Sequence, residues 1–383
     1  MSLALGLVAS GVWLYLLFGR GGFWRLRERD DLDVPPPPAI WPSVAAIVPA
    51  RNEADVIARS VGSLAAQAYD GEFRIILVDD NSEDGTAEAA PRDGGRVEVL
   101  AGAPLAPGWT GKLWAMKQGA DHAAALPAPP DYLLFTDADI AHAPDNLAAL
   151  VARAEARGLV LTSLMAKLTV ETWAERLLIP AFVFFFDMLY PFAWANDPAK
   201  TTAAAAGGCM LVRREALEQA GGVAAIRAEI IDDCALARLM KRQGPIWLGL
   251  TRRAHSLRPY EGLDAIGRMV SRSAYAQLGF SPLALAGALA GMVLVYLAPP
   301  LLTIFGRGPA QDLGLFAWLA MAVAYGPMLR FYGRSSLWGL ALPAIGALYC
   351  LFTLQSALDV WRGRGGMWKG RAQAAARLGS GAS

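Results

Sequence analysis

Short apolar runs alternate with helical stretches through the middle of the chain. The apolar runs cover residues 44–48, 74–78, 97–100, 132–136 and 159–167. The run at 132–136 has no charged interruption, which is typical of a strand that is buried on both faces of a parallel sheet. Between them, one helix is expected to run to about Ala66, and residues 108–112 are expected to lead into another that runs to about Ala124. The alternation predicts an α/β domain built from parallel βαβ units.

Longer apolar segments flank this domain. Residues 3–18 predict a retained membrane anchor at the short limit for spanning, and residues 283–305, 313–329 and 337–358 are candidate spans. Arginines follow the anchor at once and place the next segment in the cytosol by the positive-inside rule; they are Arg20, Arg25, Arg27 and Arg29. If all three later segments cross, the basic tail ends outside, against that rule. Either the segment with Pro327 is re-entrant or the rule fails here, and we favour the first alternative, with a cytosolic tail.

These boundaries predict an order of parts along the chain. It comprises an anchor at 1–19, a basic and proline-rich linker at 20–42, a catalytic domain at 43–277, transmembrane helices at 278–360 and a basic tail at 361–383. Residues 177–194 are apolar and aromatic, but Pro180, Asp187 and Pro191 interrupt them. A full span here would put the flanking residues on opposite sides of the membrane. We therefore predict a helix that lies in the membrane interface or lines an acceptor groove.

Composition agrees with membrane attachment. Of the 383 residues, 55% are hydrophobic and 18% are charged, whereas an ordinary soluble domain carries about 25% charge. The net charge of +1 gives no reason to expect a nucleic-acid partner. The three cysteines are far apart and have neither a disulfide nor a zinc-ligand pattern, so packing is their expected role.

Two carboxylates end the fourth predicted strand. Asp137 and Asp139 flank one small residue and form a hard-oxygen site suited to Mg²⁺ or Mn²⁺. A lone pair of this kind also occurs as ordinary turn residues, so its neighbours matter. Polar residues follow the first and second strands as well, at 51–53 and 79–82. In an open α/β sheet this is the edge where a nucleotide lies.

A second acidic pair, Asp232 and Asp233, opens a predicted helix at 234–243. Acidic residues in a first turn favour the helix dipole, which accounts for one of them, and the other can serve as a general base. A basic set downstream suits a diphosphate leaving group, although anionic lipid would explain some of it; it comprises Arg252, Arg253, His255, Arg258, Arg268 and Arg272. No GxGxxG follows the first strand and no Walker A sequence occurs, which argues against nicotinamide and P-loop chemistry.

The order of these motifs resembles the family 2 glycosyltransferases with a GT-A fold. The resemblance covers roughly residues 43–277 and consists of residues 49–53, 79–80, 111–112, Asp137-x-Asp139, Asp232-Asp233 and Arg272. Within that family, the Gly-Trp-Thr-Gly-Lys stretch at 108–112 and the Ile-Ile-Asp-Asp-Cys-Ala-Leu stretch at 230–236 look like the hopene-associated glycosyltransferases. Ceramide glucosyltransferase is a more distant resemblance.

The resemblance implies a role for each matched residue of the donor site. Pro49, Arg51 and Glu53 would border the nucleotide, and Asp79 or Asp80 would accept a hydrogen bond from its base. The remaining roles fall on the two acidic pairs. Asp137 would lie by the ribose and donor sugar and, with Asp139, bind the divalent metal, while Asp233 would be the catalytic base. Asp232 stands where the family has Glu, so it remains the alternative base.

The basic residues complete this expectation. Lys112 and Arg272, together with Mg²⁺ or Mn²⁺, would neutralise the diphosphate as it leaves. Of the family's Gln-x-x-Arg-Trp element only Arg272 is present, which favours transfer of a single sugar.

The resemblance thus implies a membrane-bound inverting glycosyltransferase that moves a sugar from a UDP- or GDP-sugar to a lipid hydroxyl, with a hopanoid as the candidate lipid. The expected location is a bacterial-type inner membrane, with several spans and a cytosolic catalytic domain. A processive polysaccharide synthase and a non-catalytic membrane scaffold that binds nucleotide or lipid remain as alternatives.

Overall fold

The computed structural model describes residues 1–92 and 95–365, together with the backbone of residues 367–368 and 371–372. It divides into two compact units, which we call the sheet unit and the helical unit. The sheet unit consists of the described residues within 28–169, 194–258 and 367–372. The helical unit consists of the described residues within 1–27, 170–193 and 259–365. Most of the predicted basic tail lies outside the described residues.

An eight-stranded sheet forms the centre of the sheet unit, in the order β3-β2-β1-β4-β7-β6-β8-β5. Its strands are β1 (Val44–Ala50), β2 (Phe73–Asp79), β3 (Val97–Ala101), β4 (Tyr132–Phe135), β5 (Ile140–His142), β6 (Leu161–Lys167), β7 (Met210–Arg213) and β8 (Ile246–Ser256). Strands β1 to β4 pair in parallel, as do β6 and β8. Strands β5 and β7 run antiparallel to their neighbours. The α/β fold with a mostly parallel sheet is therefore confirmed.

Helices of the sheet unit cover both faces of the sheet. They are α2 (Ile57–Ala65), α3 (Thr86–Ala89), α4 (Gly111–Ala124), α5 (Asn146–Arg157), α8 (Arg214–Gln219) and α9 (Asp232–Lys241), numbered in chain order through both units. Strand β1 supplies both cores, because Ala46 packs with the α2 side and Ile47 with the α4 side. A Cβ on Gly119 of α4 would lie 2.5 Å from Ile47 Cγ2, so this glycine lets α4 approach the sheet closely.

The helical unit holds the apolar helices. These are α1 (Ser2–Phe18), α6 (Trp173–Leu189), α10 (Gly262–Gln277), α11 (Pro282–Met292), α12 (Ala298–Phe305), α13 (Pro309–Phe331) and α14 (Leu342–Trp361), and α7 (Phe192–Asn196) follows α6. Three segments among the described residues are long and apolar enough to cross a membrane, namely Pro282–Phe305, Pro309–Phe331 and Ser336–Trp361. A π-helical turn, Val293–Leu297, joins α11 to α12.

Helix α1 has 17 residues and packs within the helical unit. Its Ser10 hydroxyl donates to the Leu313 carbonyl at 3.0 Å, and Trp13 Nε1 donates to the Val295 carbonyl at 3.0 Å. Helix α6 begins at Trp173 and continues through Pro180, and Thr172 and Glu175 form a capping box at its start. The interfacial placement of α6 and the re-entrant course at Pro327 stay predictions.

Several elements differ from the sequence-based expectation. Strands β5, β7 and β8 were not predicted, and β7 follows a run of alanines. The segment after Glu28, which we assigned to a linker, is part of the sheet unit. Arg29 forms an isolated parallel β-bridge with Leu250, and the buried Asp30 carboxylate accepts a hydrogen bond from the Thr251 hydroxyl at 2.6 Å.

Candidate active site

The carboxyl ends of β1, β2 and β4 meet at one edge of the sheet because the three strands are parallel. The polar loop residues that follow each strand therefore converge. Arg51 Nη1 donates to the Asp80 carbonyl at 2.5 Å and to the Asn81 carbonyl at 3.1 Å. The amide of Glu53 donates to the Thr86 hydroxyl at 2.8 Å. These contacts tie the loop after β1 to the loop after β2.

The predicted nucleotide residues take up different positions at this edge. Pro49 is buried inside β1, opposite Val78. Asp80 is 1% exposed, whereas Asp79 is half-buried and its Oδ2 accepts from the Ser82 amide at 3.4 Å. Asn52 and Asn81 both have positive φ, of 51° and 53°, as asparagine tolerates in tight turns. Asp79 is thus the more accessible of the two aspartates to a nucleotide base.

An acidic cluster lies beside this loop and consists of Glu53, Asp137 and Asp139. Burial and, after it, the negative charges of Asp137 and Glu53 together raise the pKa of Asp139 to about 6. The guanidinium of Arg258 opposes that shift: it pairs with Glu53, lies 3.2 Å from Asp55 Oδ1 and has Nε 3.9 Å from Asp139 Oδ2. Arg258 therefore offsets the negative charge of this cluster only in part.

Among the described residues, no group of three or more His, Cys, Asp or Glu side chains is arranged to hold a metal ion by itself. Asp137 and Asp139 nevertheless suit Mg²⁺ or Mn²⁺. Mg²⁺ in particular commonly takes one or two carboxylates and fills its other positions with water and substrate phosphates. The raised pKa of Asp139 also favours a cation at this position, because a cation stabilises a desolvated carboxylate that lies beside like charges.

Lys112 joins the two acidic pairs. It lies in the first turn of α4, and its Nζ is 2.7 Å from Asp137 Oδ1 and 2.9 Å from Asp232 Oδ2. Burial lowers the pKa of Lys112, but the two carboxylates outweigh burial and raise it above its ordinary value. The lysine thus stays charged and fixes the start of α9 to the end of β4.

Asp233 faces a different set of partners. Its Oδ1 accepts from the Cys234 amide at 2.7 Å, and its Oδ2 accepts from the Gly207 amide at 3.1 Å. Burial and the charge of Asp232 raise the pKa of Asp233 to about 6, although Lys112 and the two amides oppose the shift. A carboxylate that is half-buried and titrates near neutral pH has the properties of a general base.

Gly207 stands at the point where these groups meet. A Cβ there would lie 3.1 Å from Lys112 Nζ, 3.7 Å from Asp233 Oδ2 and 3.8 Å from Asp137 Oδ2. Only a residue without a side chain leaves this space open.

The structure thus brings the predicted sheet-unit residues to one edge of the sheet. Arg272 belongs to α10 of the helical unit. Sequence reasoning did not single out Gly207 or place Arg258 at the acidic cluster. The Gly-Gly pair after four alanines was the signal for Gly207, and Arg258 was one of several arginines with nothing to set it apart.

A solved structure with a similar fold is a mannosyltransferase from Pyrobaculum calidifontis in complex with GDP-Man and Mn²⁺. It superposes with a TM-score of 0.57 and 19% identity, and the match covers 94% of this chain and 99% of that one. With the mostly parallel sheet described above, this likeness defines the fold class: the protein has the GT-A fold.

Sequence relatives narrow the class to a family. Residues 45–221 match the model described as Glycosyl transferase family 2, so the chain carries a family 2 glycosyltransferase domain. A 4,4'-diaponeurosporenoate glycosyltransferase from Staphylococcus haemolyticus is 34% identical over 122 residues, which are 31% of each chain. An N-acetylglucosaminyltransferase from Rhizobium leguminosarum bv. viciae is 30% identical over 184 residues, 46% of this chain and 40% of the relative. The chain spans less than half the length of these curated relatives.

Proposed function

We propose that the protein is a membrane-bound inverting glycosyltransferase that moves one sugar from a nucleotide-sugar donor to a lipid hydroxyl in a metal-dependent reaction. The observation that carries the proposal is the pairing of two differently built carboxylate sites around Gly207. One is the acidic cluster of Glu53, Asp137 and Asp139, and the other is Asp233. They suit the two ends of a displacement, with the leaving diphosphate at the first and the attacking hydroxyl at the second.

The reaction follows from these two positions. The acceptor oxygen attacks the anomeric carbon, Asp233 takes the hydroxyl proton, and the bond from that carbon to the nucleoside diphosphate breaks on the opposite face. A divalent ion held by Asp137 and Asp139 would neutralise the diphosphate charge that develops in this step. Because one base acts on the face opposite the leaving group, the anomeric configuration inverts and no covalent sugar intermediate forms.

The contacts of the aspartate pair favour Asp233 over Asp232 as the base. Asp232 is held by Lys112 at 2.9 Å, and a carboxylate engaged with an ammonium group is a poor proton acceptor. Asp233 has amide partners instead, and its pKa is raised to about 6. We therefore assign proton transfer to Asp233, and to Asp232 the role of anchoring Lys112.

The donor assignment rests on the loops after β1 and β2 and on the relatives. Asp79, Asp80, Arg51 and Glu53 surround the edge at which a nucleotide lies in such sheets. The Pyrobaculum enzyme is described with GDP-Man and Mn²⁺, which supports a UDP- or GDP-sugar and a divalent ion here. Arg272 keeps the diphosphate role implied by its motif.

The acceptor assignment rests on the apolar helices. Three segments long enough to span a bilayer would keep the catalytic domain at a membrane surface, where lipid hydroxyls are concentrated. One relative is named for a lipid-type acceptor, 4,4'-diaponeurosporenoate. A hopanoid is the acceptor favoured by the stretches at 108–112 and 230–236, and a bacterial inner membrane with a cytosolic catalytic domain is the matching location.

The test uses the full chain in nanodiscs with a panel of UDP- and GDP-sugars and a total lipid extract. We expect a glycosylated lipid of one added sugar by mass spectrometry, and products with long sugar chains would instead support a polysaccharide synthase. Asp233→Asn is expected to bind donor normally but to lose transfer by about a hundredfold or more. Asp232→Asn is expected to retain more activity than Asp233→Asn. The reverse order would move the base to Asp232, and absence of transfer from every donor would overturn the proposal.

A further inference from the structure

A buried chain of polar side chains leads from α5 to the turn that carries Gly207. It contains Asn146, His142 and Thr136, and it ends on the carbonyl of Gly208. All three side chains are almost fully buried, at 1%, 5% and 1% exposure respectively. Buried polar groups are costly unless their hydrogen bonds are satisfied, so a continuous chain of this kind indicates a defined task.

The direction of every hydrogen bond in this chain is fixed. Thr136 Oγ1 lies 2.8 Å from the Gly208 carbonyl, which only accepts, so the threonine donates its single proton there. His142 Nε2 lies 2.9 Å from the same hydroxyl and must therefore carry a hydrogen and donate. The other ring nitrogen, Nδ1, then accepts from Asn146 Nδ2 at 2.9 Å. Burial lowers the pKa of His142 to about 3, so the ring is neutral as this pattern requires.

The two ends of the chain belong to the two halves of the active site. Thr136 immediately precedes Asp137 at the end of β4. Gly208 follows Gly207, whose amide donates to Asp233 Oδ2 at 3.1 Å. Ser163 of β6 holds the same turn, because its hydroxyl accepts from the Ala206 amide at 2.9 Å.

The turn also fits too closely to shift without loss of contact. A Cβ on Gly208 would lie 3.1 Å from the Ala166 Cβ of β6 and 3.4 Å from Ile140 of β5. The Gly208 backbone is therefore packed close to both of these strands. The Thr136 hydroxyl is thus the polar link between the strand that bears the metal-site aspartates and the backbone that bears the base's hydrogen-bond donor.

We propose that His142 and Thr136 are positioning residues: the neutral imidazole orients the Thr136 hydroxyl onto the Gly208 carbonyl, and this contact keeps the Gly207 amide on Asp233. The assignment rests on the proposed function, because the positioning of the Gly207 amide matters for transfer only if Asp233 is the catalytic base. Neither residue touches the donor or the acceptor in this scheme. Their loss is therefore expected to act on the proton-transfer step and to spare donor binding.

The test compares Thr136→Val, Thr136→Ser and the control Thr162→Val in the full chain in nanodiscs. Thr162 is a matched control because it is as deeply buried as Thr136, with 0% exposure against 1%, and belongs to β6 of the same sheet. Its hydroxyl has no hydrogen-bond partner among the described residues. The first readout is hydrogen exchange of the peptide that contains Gly207, which needs no activity. We expect Thr136→Val to speed exchange there by about tenfold or more, and Thr136→Ser and Thr162→Val to leave it unchanged.

The second readout is turnover. Thr136→Val is expected to lower kcat by about tenfold to a hundredfold, with donor KM changed by no more than about twofold. The acidic limb of its pH profile is expected to move to higher pH, since Asp233 loses an amide donor while Asp232 and Lys112 still face it. Thr136→Ser, which restores the hydroxyl, is expected to recover both values.

Two results would overturn the proposal: equal exchange at Gly207 in Thr136→Val and Thr162→Val, or a Thr136→Ser variant as impaired as Thr136→Val. If Thr136→Val does not fold, the same measurements on two His142 variants test the proposal. His142→Gln keeps an N–H near the Nε2 position and is expected to be milder than His142→Leu, and equal effects would count against positioning. A wild-type protein that transfers no sugar would refute the proposed function alone, because the exchange comparison would still stand.

Discussion

Lys112 Nζ lies 2.7 Å from Asp137 Oδ1, and the same atom lies 2.9 Å from Asp232 Oδ2. One ammonium group therefore connects an aspartate of the donor side with the aspartate next to the base. The lysine is 18% exposed and Asp232 is 16% exposed, so solvent screens this bridge only partly.

Replacing this lysine is expected to reduce both activity and stability. Lys112→Met leaves two carboxylates without their cation beside a third, Asp233, and breaking a buried pair costs about 3–5 kcal/mol. Because Asp137 is 35% exposed, we expect a smaller loss of unfolding free energy, about 2 kcal/mol, and at least a hundredfold loss of transfer. Thermal unfolding and single-turnover transfer measure the two effects.

A neighbouring lysine on the same helix provides the control. Lys117 pairs with the exposed Asp121 one turn along α4, and exposed pairs of this kind contribute about 0.3–0.5 kcal/mol. Lys117→Met is expected to change stability by less than about 1 kcal/mol and to leave transfer intact. Equal losses in the two variants would show that the bridge has no special role.

Gly207→Ala tests whether the space between Lys112, Asp137 and Asp233 is needed. The added methyl would lie 3.1 Å from Lys112 Nζ and would displace the ammonium group or the Asp233 carboxylate. We expect transfer to fall by about tenfold or more, because a small misplacement of catalytic groups is sufficient for such a loss. Gly62→Ala in α2 is the matched control, since a Cβ there meets nothing within 4 Å. That change is expected to raise stability slightly, by up to about 1 kcal/mol, through helix propensity; a Gly207→Ala enzyme with full activity would remove the steric argument.

The sequence was sufficient for β1, β2 and β4 because each is a mainly apolar run that is followed by charged residues. It was insufficient for β5, with three residues, and for β7, which follows a run of alanines that has no strand periodicity. Short strands of this kind form because neighbouring strands supply their hydrogen bonds, and that information is not local.

The same distinction applies to the site. Asp137, Asp139 and Asp233 could be predicted as site residues because paired carboxylates at the end of a buried strand or at the start of a helix are visible in the sequence. The bridge by Lys112 was not predicted, since a pattern at 108–112 does not reveal which acids a lysine reaches. The His142 chain was also missed, because a single histidine in an apolar strand carries no signal until its partners from α5 and the Gly208 turn are known.

The pH dependence of transfer follows from Asp233. Its pKa is raised to about 6 by burial and by Asp232, and the base must be deprotonated to accept a proton. The rate is therefore expected to rise tenfold per pH unit below about 6 and to level off above it. A kcat–pH profile measured with saturating donor checks this, and a limb near pH 4 would mean that a carboxylate of ordinary pKa controls the step.

The acidic cluster is expected to lower stability in the absence of a cation. Asp139 has a pKa of about 6 in the folded protein, against about 3.9 in an unfolded chain, so the folded state binds more protons between those values. Stability from this group is then present at low pH and is lost as pH rises through about 4 to 6. Asp139→Asn removes that loss, and we expect it to unfold at a higher temperature than the wild type at pH 7.5 in EDTA. The exposed Asp70 provides a control, and Asp70→Asn is expected to have no such effect.

Metal addition is expected to reverse this order. A ligand at a hundred times its dissociation constant stabilises the folded state by about 2.7 kcal/mol, and the wild type alone retains both carboxylates for Mn²⁺. Thermal unfolding with and without Mn²⁺ and a nucleoside diphosphate therefore separates two properties of one residue, its destabilising charge and its value as a ligand. If Asp139→Asn is the less stable variant in EDTA, the charge of Asp139 does not destabilise the fold. If Asp139→Asn gains as much stability from Mn²⁺ as the wild type, Asp139 does not bind the ion. The metal site would then have to be sought among other oxygen ligands at the same edge of the sheet.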